Sequence, residues 1–385
     1  MRIVIAPDKF KGSLDAAAVA QCLAAGLHRV DSSLVIETLP MADGGEGTVD
    51  AAVSGGFVRH TTRVTGPTGH LVAADFAVRG SDAVIEIAAA SGLAVLPGGI
   101  RDALGATSAG TGELIRAALD LGCRNIVLAV GGSACTDGGA GMLTGLGAIL
   151  RDEAGTPLAP GGAALANLAT ADLTTLDVRL ASCTIILASD VDNPLLGTHG
   201  AAAVFGPQKG ATADNVVELD AALARFARVL SDVIGDTAHA AISAPGAGSA
   251  GGIGYGAMAV LGATRRAGID VVAELTHLAE YITGADLVIT GEGSLDRQSL
   301  LGKTPVGVAQ VAARVGVSVI AVCGRTSLSE GELRSAGFSH TFALTDLESD
   351  IDVCMNDAGR LLTQVGTMIQ KAHLTNTSST KREEL

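Results

Sequence analysis

The sequence predicts an α/β protein built on mostly parallel sheet, and three observations carry that prediction. Short β-branched runs bounded by turn residues recur along the 385 residues. Ala-rich stretches of helical period lie between many of them, and the runs repeatedly end in Gly-rich or acidic loops. Strands that alternate with helices build a parallel sheet, because each return to the same edge needs a crossover of about a helix in length.

In chain order the strand-like runs are IVIA at Ile3, LVIETL at Leu34, AVIEIA at Ala83, NIVLAV at Asn125, TIILA at Thr184, DLVIT at Asp286, SVIAVC at Ser318 and TFAL at Thr341. Continuous apolar runs of this length read as strands buried on both faces. The helical stretches are 14–30, 112–121, 216–234, 306–315 and 355–371. Five runs exit into PDKFKGS, PMADGGEG, GGSACTDGGAG, SDVDNP and GEGSLD. Ligands of open α/β sheets bind beyond the carboxyl ends of the strands, so five such exits point to one large site. The pattern Asp-Gly-Gly-X-Gly occurs twice, at 43–47 and 137–141, and reads as one loop solution used twice.

The length exceeds what one hydrophobic core usually organises, so two domains, or one domain carrying an insertion, are expected. Hydrophobic residues make up 48% of the chain but aromatics only 2%, which leaves a core of Ala, Val, Leu and Ile with closely packed backbones. A formal net charge of −14 argues against nucleic acid and anionic membranes as partners, since the long-range field repels polyanions. Six scattered Cys without a CxxC pair, and His without metal-ligand spacing, fit reduced thiols in a cytosol. A strand-like run beginning at Arg2 leaves no room for a signal peptide and no apolar run reaches membrane-span length, so a cytoplasmic location is expected. The polar residues 376–385 read as a disordered tail.

Lysine gives the sharpest chemical signal. Of six lysines, Lys9, Lys11, Lys209 and Lys303 sit in Gly/Pro-rich loops, where compact positive charges serve phosphate or carboxylate. Carboxylates lie just past strands as Asp43 with Glu46, Asp190 with Asp192, and Glu292 with Asp296. Such groups hold Mg²⁺, orient an attacking hydroxyl, or serve as caps and turns. Glycine-rich stretches at 131–133, 137–141 and 246–256 can present backbone amides to phosphate. The formal GxGxxG at Gly246, Gly248 and Gly251 lacks a preceding strand, which argues against a dinucleotide fold. The Gly-Lys-Thr at 302–304 has Arg297 where a Walker A loop needs its first glycine.

Seven motifs, APDKFKGSL at Ala6, PMADGGEGT at Pro40, GGSACTDGGAGML at Gly131, SDVDNPLLG at Ser189, AAVFGPQKGA at Ala202, GAGSAGGIGYG at Gly246 and DLVITGEGSLDRQSLLGKTPVGVA at Asp286, together resemble the bacterial glycerate kinase family over residues 1–372. The resemblance implies ATP- and Mg²⁺-dependent phosphorylation of D-glycerate, for this branch usually at the 2-hydroxyl. It also implies a flavodoxin-like parallel-sheet domain (1–60 plus 285–375) interrupted by a large inserted α/β domain (61–284), with the site in the cleft. The chain departs from the family pattern at Lys9, where Ser is usual, and at Cys135 and Thr136.

On this resemblance Asp190 orients or deprotonates the acceptor hydroxyl, with Lys11 and Asp8 as further catalytic groups. Gly131, Gly132, Ser133, Gly138, Gly139, Gly248, Gly251, Gly252 and Lys303 hold the nucleotide. Lys9, Ser13, Asp192 and Asn193 contact the substrate, and Asp43, Glu46, Glu292 and Asp296 compete for Mg²⁺. A 3-kinase, a kinase of another hydroxy acid, an NAD-dependent dehydrogenase and a non-catalytic organic-acid binding protein are the alternatives. A monomer or homodimer is expected.

Overall fold

The computed structural model describes residues 1–371, and these hold thirteen strands in three sheets. In chain order the strands are β1 (Arg2–Ile5), β2 (Val35–Thr38), β3 (Val58–Thr65), β4 (Leu71–Arg79), β5 (Asp82–Glu86), β6 (Asn125–Ala129), β7 (Ile149–Arg151), β8 (Thr170–Asp172), β9 (Thr184–Ala188), β10 (Thr264–Arg266), β11 (Leu287–Leu295), β12 (Val319–Thr326) and β13 (Phe338–Ala343). The chain forms two compact units. The first comprises Met1–Asp43, Asp50–Gly55 and the described residues from Ile269 onward; the second comprises Gly44–Val49 and Gly56–Gly268. The tail read at 376–385 lies outside the described residues.

The first unit carries a five-stranded, wholly parallel sheet in the order β13-β12-β11-β1-β2. Numbered within the unit this is the 2-1-3-4-5 order of flavodoxin-like doubly wound folds. Side chains alternate between its two buried faces: Ile3 and Ile5 pack with Leu23, Leu362 and Ile320, while Val4 and Ala6 pack with Leu39, Val308 and Ala321. Two helices on one face, Ala16–His28 and Ala358–Ile369, meet at Gly26 and Gly366. A Cβ on Gly26 would lie 2.1 Å from the Thr363 carbonyl oxygen, the close backbone packing expected of an aromatic-poor core.

Strand order reverses between β1 and β11, which makes the carboxyl ends of these two strands the switch point where doubly wound sheets bind ligands. The β1–β11 ladder ends at Ile5 opposite Ile289, and β11 runs on beside β12 through Glu292 to Leu295, with the Asp8 amide still donating to the Gly291 carbonyl (2.8 Å).

The second unit carries a six-stranded sheet ordered β10-β9-β6-β5-β4-β3. Its β5, β6, β9 and β10 are parallel, and β3 and β4 extend it antiparallel beyond β5. A separate antiparallel pair joins β7 and β8.

All eight strand-like runs of the sequence appear as parallel strands. The meander β3–β4 and the three-residue strands β7, β8 and β10 were not anticipated. The unit boundaries also differ from the predicted 60/61 and 284/285. Ile269, Val272, Leu278 and Ile282 precede β11 yet pack in the first unit's core with Val4 and Val288. Conversely, Gly44–Val49 joins the second unit, where Glu86 accepts hydrogen bonds from the amides of Gly47 (3.0 Å) and Val49 (2.6 Å). Among the described residues no helix is long and apolar enough to cross a membrane.

Candidate active site

In the first unit, ionisable groups gather at the switch point. Asp8 follows β1 and is 7% exposed; one carboxylate oxygen accepts the Lys9 amide (2.7 Å) and the other the Thr304 hydroxyl (2.8 Å). Burial, then the charge of Asp43, push its carboxyl up to about 6, against the pull of Lys9 and these donors. Glu292 responds in the same way. Burial raises it to about 7, Asp8 and Asp43 push in the same direction, and Ser299 and Lys303 oppose them. Its Oε1 is buried without a hydrogen-bond partner. Lys303 is the N-cap residue of the helix Thr304–Arg314, so a helix N-terminus opens beside the acidic group.

Lys11 is exposed on the loop after β1. Ser13 donates to the Met355 carbonyl oxygen (2.5 Å), which ties that loop to the helix Ile351–Asn356. Asp296 closes its own turn, accepting from the Gln298 amide (2.8 Å) while its backbone N–H donates to Ser299 Oγ (3.0 Å). Glu46 is exposed in the second unit. No group of three or more His, Cys, Asp or Glu side chains suited to a metal occurs among the described residues, so the four proposed metal ligands do not converge. Asp8, Asp43 and Glu292 are the carboxylates coupled to one another.

In the second unit, the loop after β9 presents Asp190. Its Oδ1 accepts the Gly268 amide (2.7 Å) at the exit of the neighbouring strand β10. Asp192 is exposed and pairs with Arg265 (2.7 Å), which also donates to the Ser189 carbonyl (3.1 Å). Asn193 closes the loop: its side-chain amide donates to the His199 carbonyl (2.8 Å) and its own carbonyl accepts the Gly248 amide (2.9 Å). Asp192 and Asn193 therefore shape the loop that holds Asp190.

The glycine loops separate into two kinds. Between 137 and 141 the donors are consumed internally. The Asp137 carboxylate accepts from the Ser108 amide (2.8 Å) and hydroxyl (2.8 Å) and from the amides of Gly139 (3.1 Å) and Gly141 (3.2 Å), while the Gly138 amide donates to the Gly251 carbonyl (3.0 Å). The amides of Gly138, Gly139 and Gly248 are thus all bonded within the protein. Gly252 allows close packing, since its Cβ would lie 2.8 Å from the Gly138 Cα.

At 131–133, after β6, the arrangement is open. The Gly132 carbonyl and Ala134 amide are pinned by Leu93 and Ser91 (2.9 and 2.8 Å), whereas the amides of Gly131, Gly132 and Ser133 have no partner among the described residues. Gly132 is exposed and left-handed, φ +74°, a backbone suited to receiving an anion.

Lys209, one of the loop lysines expected to serve phosphate or carboxylate, faces protein oxygens instead of solvent. It is 1% exposed, and its ammonium donates to Ser133 Oγ (2.9 Å) and the Cys135 carbonyl (2.5 Å). Its confinement to a Gly/Pro turn was the available signal; its burial was not readable.

A doubly wound sheet with coupled ionisable groups beyond its carboxyl edge, joined in one chain to an α/β unit with open glycine amides, defines a small-molecule enzyme of the α/β class. The glycerate kinase family profile matches residues 3–374. A glycerate 2-kinase of Escherichia coli K12 is 44% identical over 363 residues, 93% of this chain and 94% of that protein. A glycerate kinase of Bacillus subtilis 168 is 44% identical over 349 residues, 89% and 90% of the two chains. A crystal structure from Salmonella typhimurium LT2, assigned to glycerate kinase 2, superposes with a TM-score of 0.83 at 42% identity, covering 98% of this chain and 99% of that one. The chain belongs to the glycerate kinase family, whose members are phosphotransferases.

Proposed function

We propose that the protein transfers the γ-phosphoryl group of ATP to the 2-hydroxyl of D-glycerate in the cytoplasm, releasing 2-phospho-D-glycerate and ADP. The observation that carries this reading is the 44% identity, over 93% of the chain, to the E. coli glycerate 2-kinase. The arrangement at the switch point supports it chemically. Phosphoryl transfer asks a protein mainly to position donor and acceptor and to offset charge on the transferred group.

In this reading Lys9, Lys11 and Lys303 offset phosphate and substrate charge, and the amides of Gly131, Gly132 and Ser133 receive nucleotide phosphate. Asp190, fixed by the Gly268 amide (2.7 Å), takes the proton of the acceptor hydroxyl. The residues fit Mg²⁺: the unpartnered Glu292 Oε1 lies in a buried group coupled to Asp8 and Asp43, and Mg²⁺ usually takes one or two carboxylates together with substrate phosphates. Held by Glu292 and Asp43, Mg²⁺ would neutralise charge on the β- and γ-phosphate oxygens.

The test follows ADP release by the purified full chain supplied with ATP and Mg²⁺. D-glycerate is expected to support turnover at least about tenfold faster than L-glycerate, which presents its hydroxyl with the opposite hand. No ADP release above background with either enantiomer, from folded protein, contradicts the reading.

A further inference from the structure

We propose that Lys209 is a positioning residue that aims the Ser133 hydroxyl at a nucleotide phosphate. The proposal rests on the kinase reading above and adds to it a residue with no direct ligand contact. Its first ground is the absence of a direct ion pair. Lys209 lies on the turn Pro207–Lys209, essentially inaccessible, and no carboxylate forms an ion pair with it among the described residues. A buried ammonium satisfied by two neutral oxygens is costly, and a methionine would fill the same space without that cost.

The second ground is what the ammonium does to Ser133. A serine hydroxyl has one proton and two lone pairs. Lys209 occupies a lone pair at 2.9 Å, so the hydroxyl serves as acceptor there and its own proton is left to donate elsewhere. No acceptor for it occurs among the described residues. The same ammonium grips the Cys135 carbonyl (2.5 Å), fixing the loop on the far side of Ser133, while Gly92 pairs with Ser133 through the bonds from Leu93 and Ala134. Ser133 is thus held from three directions next to the open amides of Gly131 and Gly132.

The third ground is the left-handed turn at 250–252. Ala250 adopts φ +52°, a conformation strained for a residue with a side chain. The adjoining Gly251 leaves no room for a side chain: a Cβ there would lie 2.1 Å from the Cys135 carbonyl oxygen and 2.8 Å from Lys209 Nζ. The turn closes over the ammonium. Burial draws Lys209 down to about 8; the titratable groups facing it are the Cys135 thiol, which burial pushes far up, and Asp137, whose charge its own donors meet.

The experiment is a double-mutant cycle on ADP affinity by calorimetry, using the full chain with Ser133→Ala, Lys209→Met and both together. Each single change is expected to weaken ADP by about tenfold, as loss of a charge-assisted hydrogen bond does, and the double change to weaken it no further. The KM for D-glycerate should stay within about twofold. Additive losses, or ADP affinity unchanged in folded Ser133→Ala, overturn the proposal.

A pH series keeps it testable if Lys209→Met fails to fold. Wild-type ADP affinity is expected to fall from pH 7 to 9 as the amine loses its proton, and that slope is expected to vanish in Ser133→Ala; a slope retained there also overturns it. Wild-type protein that binds no ADP instead fails the kinase reading, and does so before any variant is made.

Discussion

The pattern Asp-Gly-Gly-X-Gly at 43–47 and at 137–141 uses one local sequence for opposite ends. In the second copy the left-handed Gly138 and Gly139 wrap the chain so that the amides of Gly139 and Gly141 return to the Asp137 carboxylate, and Ser108 supplies two further donors. Asp137 is 1% exposed and wholly occupied as a cap. In the first copy the left-handed glycines are Gly44 and Gly47, and the amides of Gly47 and Val49 are capped by Glu86 from the end of β5. With that duty taken by Glu86, the half-buried Asp43 turns its charge on Asp8 and Glu292. A motif therefore does not make a carboxylate chemical; what makes it so is whether some other residue has taken over the capping.

Breaking the contrast at Asp43 should have the largest effect. Asp43→Asn keeps the shape and removes the charge, and kcat for glycerate phosphorylation is expected to fall about 10²- to 10³-fold, the loss usual for a preorganised electrostatic group. Its thermal midpoint should stay within about 2 °C of wild type. A fall in kcat below tenfold would return Asp43 to the structural class of Asp137.

The matching change at Asp137 should invert that outcome. Asp137→Asn replaces a four-donor acceptor by an amide that must face N–H groups, at a cost on the order of 3 kcal/mol and a lowering of Tm by about 5–10 °C. Turnover by the folded fraction should change less than tenfold. Loss of turnover with Tm preserved would place Asp137 among the reacting groups.

A smaller and pH-dependent effect sharpens the acidic side. The folded-state Glu292 carboxyl lies at about 7 against an ordinary 4.5, so the folded protein holds a proton that the unfolded chain releases earlier. The resulting stability is fully present below about 4.5 and lost as pH rises through 7. Glu292→Gln, which keeps the group neutral, is expected to raise Tm by about 2–4 °C at pH 8 and to leave it unchanged at pH 4.5. Added Mg²⁺ should raise the Tm of the wild type at pH 8 and that of Glu292→Gln less. A variant less stable than wild type at pH 8 would contradict the assignment.

Much of the frame was legible because buried parallel strands announce themselves locally. The runs at Ile3, Asn125, Asp286 and Ser318 carry their own apolar pattern, and the loops that follow them carry the lysines and carboxylates. The meander β3–β4 carried a hairpin signal, GPTG at 66–69 between a Thr- and Val-rich run and an Ala- and Val-rich one; β7, β8 and β10, at three residues each, are too short for any period to show. The boundary near 269 was hidden because the helix Gly268–Leu275 looks like any crossover helix, and only packing against Val4 and Val288 assigns it to the first unit.

The site divided along the same line. Asp8, Asp43, Glu292 and Lys303 were legible as residues beyond strands. What occupies Asp137, Gly138 and Gly248 was not, because their partners Ser108, Gly251 and Asn193 lie far away in the chain. Lys209 shows both halves, visible as an odd lysine and unreadable as a buried one.

The product of the reaction gives the most direct test. Phosphorus NMR of the purified chain with ATP, Mg²⁺ and D-glycerate separates 2-phosphoglycerate from 3-phosphoglycerate in one spectrum. A single growing 2-phosphoglycerate resonance, accompanied by ADP and absent when Mg²⁺ is chelated, is the predicted result. A 3-phosphoglycerate resonance would contradict the choice of hydroxyl, and a spectrum showing only ATP would contradict phosphoryl transfer to glycerate altogether.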